Sequence, residues 1–249
     1  FATNPSLSVE TLCISRQGRR VEHVIIQEGT PKYRILLTAR HHANEMMANH
    51  ALEGFFRTVL ADTAFAHQFR KQIAVHAVPF VDKDGVEAGD QGKSRIPRDH
   101  NRDYSGEPLY PETAAIQKLI HDVRPIFVLD MHCPWIRGGC NEHLYFPGPE
   151  TQRQSQALDV FSRLLEKEST REAPFCPANN IPFGTSWNTK ENYTQGLSLS
   201  RYADSLAFIR CAQTIEIPFA NFGEIKADQH NAHILGENLA RAISRYLTP

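Results

Sequence analysis

Short apolar runs of strand length alternate with segments whose apolar residues return at helical spacing, and this alternation narrows the available folds more than any other feature of the chain. Thr11 to Ile14, Val21 to Ile26, Tyr33 to Ala39 and Ile73 to Val78 read as strands separated by Gly, Pro and charged turns. From Glu45 onward Ala48, Ala51, Leu52, Phe55 and Val59 share one helical face, so a helix follows the third strand almost directly. Pro111-Glu112-Thr113 opens another helix through Leu119 and Ile120, with proline in the first turn, where its missing N–H costs nothing. Phe127 to Met131 is a continuous apolar strand, and Ala157, Leu158, Phe161, Leu164 and Leu165 mark a third helix. Phe208 to Ile217 supplies a last strand before a closing helix carried by Ala232, Leu235, Leu239, Ile243 and Leu247. Strands alternating with helices predict an α/β sandwich whose sheet is covered on both faces, with ligands bound beyond the strand ends.

The 249 residues, 41% of them hydrophobic, suffice for one large core, and no linker, composition shift or repeat divides them. A single domain over residues 1–249 is therefore expected. A formal charge of -1 with both signs interspersed argues against nucleic acid as a partner. The apolar stretches are too short to span a membrane, and Phe1-Ala2-Thr3-Asn4 lacks the charged and apolar regions of a signal peptide. Cys13, Cys133, Cys140, Cys176 and Cys211 are odd in number and irregularly spaced, which favours a reducing compartment, so a cytoplasmic location is expected. Asn192-Tyr193-Thr194 fits a glycosylation sequon and is read as a loop tripeptide.

Residues able to carry chemistry stand at the predicted strand ends. His42-Ala43-Asn44-Glu45 follows Ile35 to Ala39, Phe127 to Met131 ends in His132, and Thr214-Ile215 leads to Glu216. A catalytic zinc needs three ligands of N and O type and an open position for water, and His42, Glu45 and His132 form such a set. The spacing of His42 and Glu45 lets both reach one ion, while His132 arrives from a distant strand. Bound zinc brings the pKa of its water to about 7, but a carboxylate must still accept the proton and return it to a leaving amine. Glu216 is the candidate for that general base and acid. With 12 histidines, about one His-x-x-Glu is expected by chance, so order and placement carry the inference rather than the motif. Choosing His41 as the ligand would shift the match to His41-x-x-Asn44 and lose the carboxylate, so His42 is preferred. His132, Cys133, Cys140 and His143 are a competing cluster whose spacing matches no familiar structural zinc site. His230 and His233 read as a solvated helical face.

Six segments in a fixed order resemble the zinc carboxypeptidases of the carboxypeptidase A and cytosolic carboxypeptidase type: His42 to Glu45, Asp82-Lys83-Asp84-Gly85-Val86, Asp99 to Arg102, Pro111-Glu112-Thr113, Asp130 to His132, and Glu216. The resemblance spans most of the chain. It implies a three-layer sandwich around a mixed, mostly parallel sheet, one Zn²⁺ per chain, and a metallohydrolase acting on a substrate with a free carboxylate. It further assigns Asn101 and Arg102 to that carboxylate, where a planar guanidinium can form a bidentate pair, and Asp99 to the outer side of the His42 ring, fixing its tautomer.

Departures from the family pattern are as informative. The family places an arginine before the Asp-x-Asn-Arg segment to hold the oxyanion, and gap-free counting from Asp84-Gly85 puts Gly92 there. Lys93, Arg95 or Arg98 must substitute. The substrate-capping tyrosine falls near Tyr193, with Tyr202 as the alternative. The position lining the side-chain pocket falls at Ser200-Arg201, and a buried Arg201 would select an acidic C-terminal residue. The leading expectation is a carboxypeptidase that removes a C-terminal residue, with an acidic preference, from a peptide. An amidohydrolase of N-acyl amino acids, like the aspartoacylase and succinylglutamate desuccinylase relatives, is the alternative, and an inactive module binding peptide C-termini is the third reading.

Overall fold

A computed structural model describes residues 4–93 and 95–248, leaving Phe1 to Thr3, Ser94 and Pro249 outside the described residues. Six strands form the main sheet: β1 (Leu7–Ile14), β2 (Arg20–Ile26), β3 (Tyr33–Ala39), β4 (Ile73–Val78), β5 (Phe127–His132) and β6 (Cys211–Glu216). Their spatial order is β1-β2-β4-β3-β5-β6. β1, β2 and β4 pair antiparallel, whereas β4, β3, β5 and β6 run parallel. A small hairpin, β7 (Asn221–Phe222) with β8 (Ile225–Lys226), lies outside this sheet.

Every residue of β4, β5 and β6 is buried, which is why these strands read as unbroken apolar runs rather than alternating ones. The pleat sends Ile35, Leu37, Ala39, Phe127, Leu129 and Met131 to one core, and Leu36 and Val128 to the other. The first core is closed by α1 (Met46–Leu60), α2 (Ala64–Gln72), α5 (Gln152–Glu168) and α7 (Gln229–Leu247), which bring Phe55, Phe69, Phe161 and Leu239 to it. The second is closed by α4 (Pro111–Val123) and α6 (Leu199–Asp204) through Ile116, Ile120, Leu199 and Ala203. The predicted three-layer sandwich with a mixed, mostly parallel sheet is thus the observed architecture.

Helices α1 and α7 approach so closely that glycine is needed at both contact points. A Cβ on Gly54 would enter the backbone of His233, and one on Gly236 the carbonyl oxygen of Ala51. Two short helices, α2 and α6, were not foreseen from periodicity. Nor was α3 (Lys83–Ala88): the expected Asp82 to Val86 turn is its first turn, capped by Asp82, which accepts from the Gly85 N–H at 2.8 Å.

At the start of α4, Glu112 is 2% exposed, and its Oε2 has no hydrogen-bond partner. Burial pushes its carboxyl up to about 7, with Asp84 and Asp82 adding repulsion. The unfolded chain ionises near the ordinary 4.5 and the folded chain near 7, so the folded state binds more protons in that window and loses stability as pH rises through it. Glu112→Gln is expected to stabilise the protein at pH above 7 by about 1–2 kcal/mol, with the gain fading as pH falls toward the ordinary carboxylate range. Urea unfolding across this range checks it. A gain of equal size at both ends would mean packing, not ionisation, is responsible.

Candidate metal centre

Parallel strands β3, β5 and β6 lie side by side and end together, with His132 in register with Glu216. Beyond β3 the chain turns at Arg40, which adopts a left-handed φ of 64° and donates from Nε to the Ala43 carbonyl at 2.7 Å. Such a conformation costs about 1 kcal/mol for a residue with a Cβ and is held here by the bond that closes the loop. The loop delivers His42, and Glu45 follows at the N-cap of α1 without capping it, its carboxylate turned inward instead.

Three donor atoms meet in that space. His42 Nδ1 lies 2.8 Å from Glu45 Oε1 and 3.2 Å from His132 Nδ1, and His132 Nδ1 lies 2.8 Å from Glu45 Oε2. The opposite ring nitrogens face carboxylates: His42 Nε2 is 3.1 Å from Asp99 Oδ2, and His132 Nε2 is 2.7 Å from Asp130 Oδ2. A carboxylate at Nε2 keeps the proton there, so both Nδ1 lone pairs point at the Glu45 carboxylate. Three unshared pairs cannot converge in a dry site without a cation between them. The Glu45 Oε2 contact with His132, moreover, is off the line of a hydrogen bond, leaving that buried oxygen orphaned. The donor set therefore fits a divalent ion such as zinc.

The ionisation behaviour has the same origin. Burial alone would lower the His42 pKa, but Glu45 and Asp99 outweigh it and push it up to about 9. His132 is also driven up by Asp130 and Glu45 against its burial, and Glu45, despite burial, is held well below the carboxylate range by the two imidazoles. In the absence of metal, protons supply the missing positive charge. Glu216 behaves oppositely: burial pushes it up to about 7, with His132 opposing and Glu45 reinforcing, and its Oε2 has no hydrogen-bond partner.

Asp130 is a site residue that the sequence pattern alone does not single out. It receives His132 Nε2 on one oxygen, and Thr38 Oγ1 at 2.6 Å and His41 Nδ1 at 2.8 Å on the other. His41 is thereby committed to Asp130 and to the Tyr104 hydroxyl, 2.7 Å from its Nε2, and faces away from the cavity. The available signal was Asp130 itself, two residues before His132 in a strand otherwise apolar from Phe127.

A cavity of about 410 Å³ opens over these groups, walled by His42, Lys93, Asn101, Arg102, Tyr193 and Glu216 among others. Asn101 is fixed by Leu199, whose N–H donates to Oδ1 at 3.1 Å. Arg102 anchors Nε on the Asn192 carbonyl at 3.0 Å and lies 4.8 Å from the centre of the Tyr193 ring. Lys93 Nζ donates to the Cys133 carbonyl at 2.7 Å and sits 3.0 Å from Glu45 Oε1. Gly92 has φ 88° and packs on the Ala43 N–H, so no side chain fits where the family's arginine would stand.

Other candidates are drawn elsewhere. Arg95 does not reach the cavity: Asp82 and Asp90 take its guanidinium. Arg98 pairs with Asp103 at 2.7 Å, so of Lys93, Arg95 and Arg98 it is Lys93 that lines the cavity. Tyr202 bonds His121 at 2.9 Å, and Tyr193 is the tyrosine at the rim. Arg201 lies behind Tyr193, 3.7 Å from its ring centre, and pairs with Glu150 at 3.1 Å in an adjoining cavity that shares Pro147, Tyr193 and Thr214 with the main one. The His132, Cys133, Cys140 and His143 cluster does not assemble among the described residues, and His233 is half-buried and pairs with Glu53 at 3.1 Å.

A buried His-Glu-His centre at the ends of parallel strands, with a carboxylate and a cation-lined cavity above it, is the layout of a zinc metallohydrolase. The zinc carboxypeptidase family model matches residues 2–114, a little under half of the chain, so this part of the chain is similar to that family. The chain is 27% identical over 137 residues to cytosolic carboxypeptidase 2 of Xenopus tropicalis, covering 50% of this chain and 14% of that protein. It is 31% identical over 148 residues to cytosolic carboxypeptidase 2 of Homo sapiens, covering 53% and 16%. The chain thus spans a small part of the length of these relatives. A metallo-carboxypeptidase from Burkholderia cenocepacia shares the fold over 98% of this chain and 65% of its own, with a TM-score of 0.81 at 19% identity. Carboxypeptidase A from Helicoverpa armigera shares it over 97% and 68%, with a TM-score of 0.69 at 14% identity.

If Asp130 fixes the His132 tautomer, Asp130→Asn is expected to lower zinc affinity by about 10- to 100-fold while leaving the far-ultraviolet circular dichroism unchanged. Competition against a chromogenic chelator measures it. Undiminished affinity in a folded variant would remove Asp130 from the metal's support.

Proposed function

We propose that the chain is a zinc-dependent carboxypeptidase domain that removes the C-terminal residue of a peptide, working as one catalytic unit. The observation that carries this reading is that His42 and His132, which converge on the buried Glu45, line one cavity together with Asn101 and Arg102. The zinc, when bound, would supply a water acidic enough to attack at neutral pH.

The chain's own residues supply the rest. Arg102 and Asn101 take the terminal carboxylate, which requires a free C-terminus and sets the scissile amide one residue inward. Glu216 accepts the proton from the attacking water and delivers it to the leaving amine, so that water and amide become carboxylate and amine with no other reactant. Its position suits that task, because a buried carboxylate with a raised pKa can hold a proton between the two transfers. Lys93 is the cation within reach of the developing oxyanion, and Tyr193 closes over the substrate. The finer part of the proposal is a preference for an acidic C-terminal residue, supported by Arg201 in the cavity adjoining Tyr193. A cytoplasmic setting belongs to the same reading, supported by the cytosolic carboxypeptidase relatives and the free thiols of Cys13, Cys133, Cys140, Cys176 and Cys211.

Glu216→Gln should lower kcat on a peptide substrate by about a thousandfold while keeping zinc, as read by mass spectrometry, whereas His132→Ala should lose the metal and the activity together. Activity of Glu216→Gln near the wild-type level would remove Glu216 as the base. Turnover of N-acyl amino acids but of no peptide would transfer the assignment to an amidohydrolase. For specificity, Arg201→Ala should lower kcat/KM about tenfold for peptides ending in Glu or Asp and leave those ending in Leu unchanged. An equal effect on both would show that Arg201 does not read the side chain.

A further inference from the structure

A second group of metal-type donors bridges α1 and α7, and none of its residues lines the cavity. His50 and Glu53 are one helical turn apart on α1, and His233 comes from the first turns of α7. Glu53 Oε2 lies 3.1 Å from His233 Nε2 and 4.0 Å from His50 Nδ1, and one donor atom from each residue lies within 4.8 Å of the others. The two rings meet edge to face at 77°, with centroids 6.1 Å apart, rather than stacking. All three residues are half-buried, so the group has solvent on one side and helix packing on the other.

We infer that His50, Glu53 and His233 form a second site for a divalent transition-metal ion such as zinc, clamping the middle of α1 to the start of α7. The chemistry of the set suits it: two imidazoles and one carboxylate, with a fourth position open to water. Tetrahedral zinc with bonds of about 2.0–2.1 Å needs donors about 3.3 Å apart. The Glu53 to His233 edge already meets this, and closing the others requires only torsions of partly exposed side chains. Arg57 does not block the site, because its Nε and Nη2 both bind Glu53 Oε1, at 3.0 and 2.7 Å, leaving Oε2 turned to the imidazoles. That pairing leads the influences holding the Glu53 carboxyl below its usual range, so the ligand is ionised before any metal arrives. The backbones are preset as well, since Gly54 fits its helix against the peptide at His233. This site stands independently of the hydrolytic reading, as it shares no residue with the His42 centre.

Zinc bound at equilibrium, counted by mass spectrometry on both sides of a dialysis membrane at a fixed excess of zinc, separates the two sites. The wild type should carry two equivalents, His50→Ala and His233→Ala one each, and His132→Ala one. Zinc should raise the melting temperature of His132→Ala by several degrees, and this shift should vanish in His132→Ala/His233→Ala. If an alanine variant does not fold, the isosteric Glu53→Gln takes its place. A single equivalent in the wild type that is lost in His132→Ala would overturn the second site and leave the first intact. A second equivalent that survives His50→Ala, His233→Ala and Glu53→Gln would overturn it equally.

Discussion

The carboxylate of Asp130, buried between β3 and β5, is the interaction on which the site depends. It takes Thr38 from the neighbouring strand, His41 from the loop beyond it and His132 from two residues along its own strand. An unpaired charge at that depth would cost several kcal/mol, so the surrounding donors are obligatory rather than decorative. Once they are in place the orientation of the His132 ring follows, and with it the direction of the Nδ1 lone pair. Asp99 does the same for His42 from outside the sheet. The two carboxylates thus turn three potential ligands into a preorganised trio whose mutual repulsion only a cation relieves.

This electrostatic arrangement explains how two glutamates a short distance apart can hold different charge states. Glu45 lies among imidazoles that favour its ionised form more than burial disfavours it, whereas for Glu216 burial outweighs them. A pair of carboxylates separated in this way divides naturally into a ligand and a proton carrier. Lys93 belongs to the same balance. Its Nζ leans on Glu45 because the loop carrying it must pass as glycine at Gly92, against the Ala43 peptide, leaving the next side chain as the one that can enter the cavity.

Much of this was legible in the sequence, for identifiable reasons. The central strands β3, β5 and β6 are buried on both faces, so their apolar runs are long enough to be recognised, and the residues that end them stand out against the run. Helices α2, α3 and α6 are nine residues or fewer, too short to establish a period, and their caps at Thr63, Asp82 and Ser198 resemble turns until the fold is known. Destinations of long cationic side chains were not legible at all. Arg95 and Arg98 lie in the same segment as Lys93, and only the positions of Asp82, Asp90 and Asp103 decide that those two stay outside. Counting along the chain puts Arg201 at a side-chain pocket, whereas Glu150, fifty-one residues away in the chain, sets where its guanidinium rests, in the adjoining cavity.

His42 with Glu45 and His50 with Glu53 make the same point from a different direction. Both pairs have the same spacing, eight residues apart in the chain, and both acquire a third histidine from elsewhere in the fold. The first pair meets His132 where Glu45 and His132 are almost wholly buried, while the second meets His233 at a half-buried helix interface. Solvation therefore separates them more than ligand identity does. In the dry site the opposite face of each imidazole is fixed by a carboxylate and metal-free neutrality requires protons; in the wet site Arg57 and water can balance Glu53 without an ion. A metal at the second site is therefore expected to bind more weakly than one at the first.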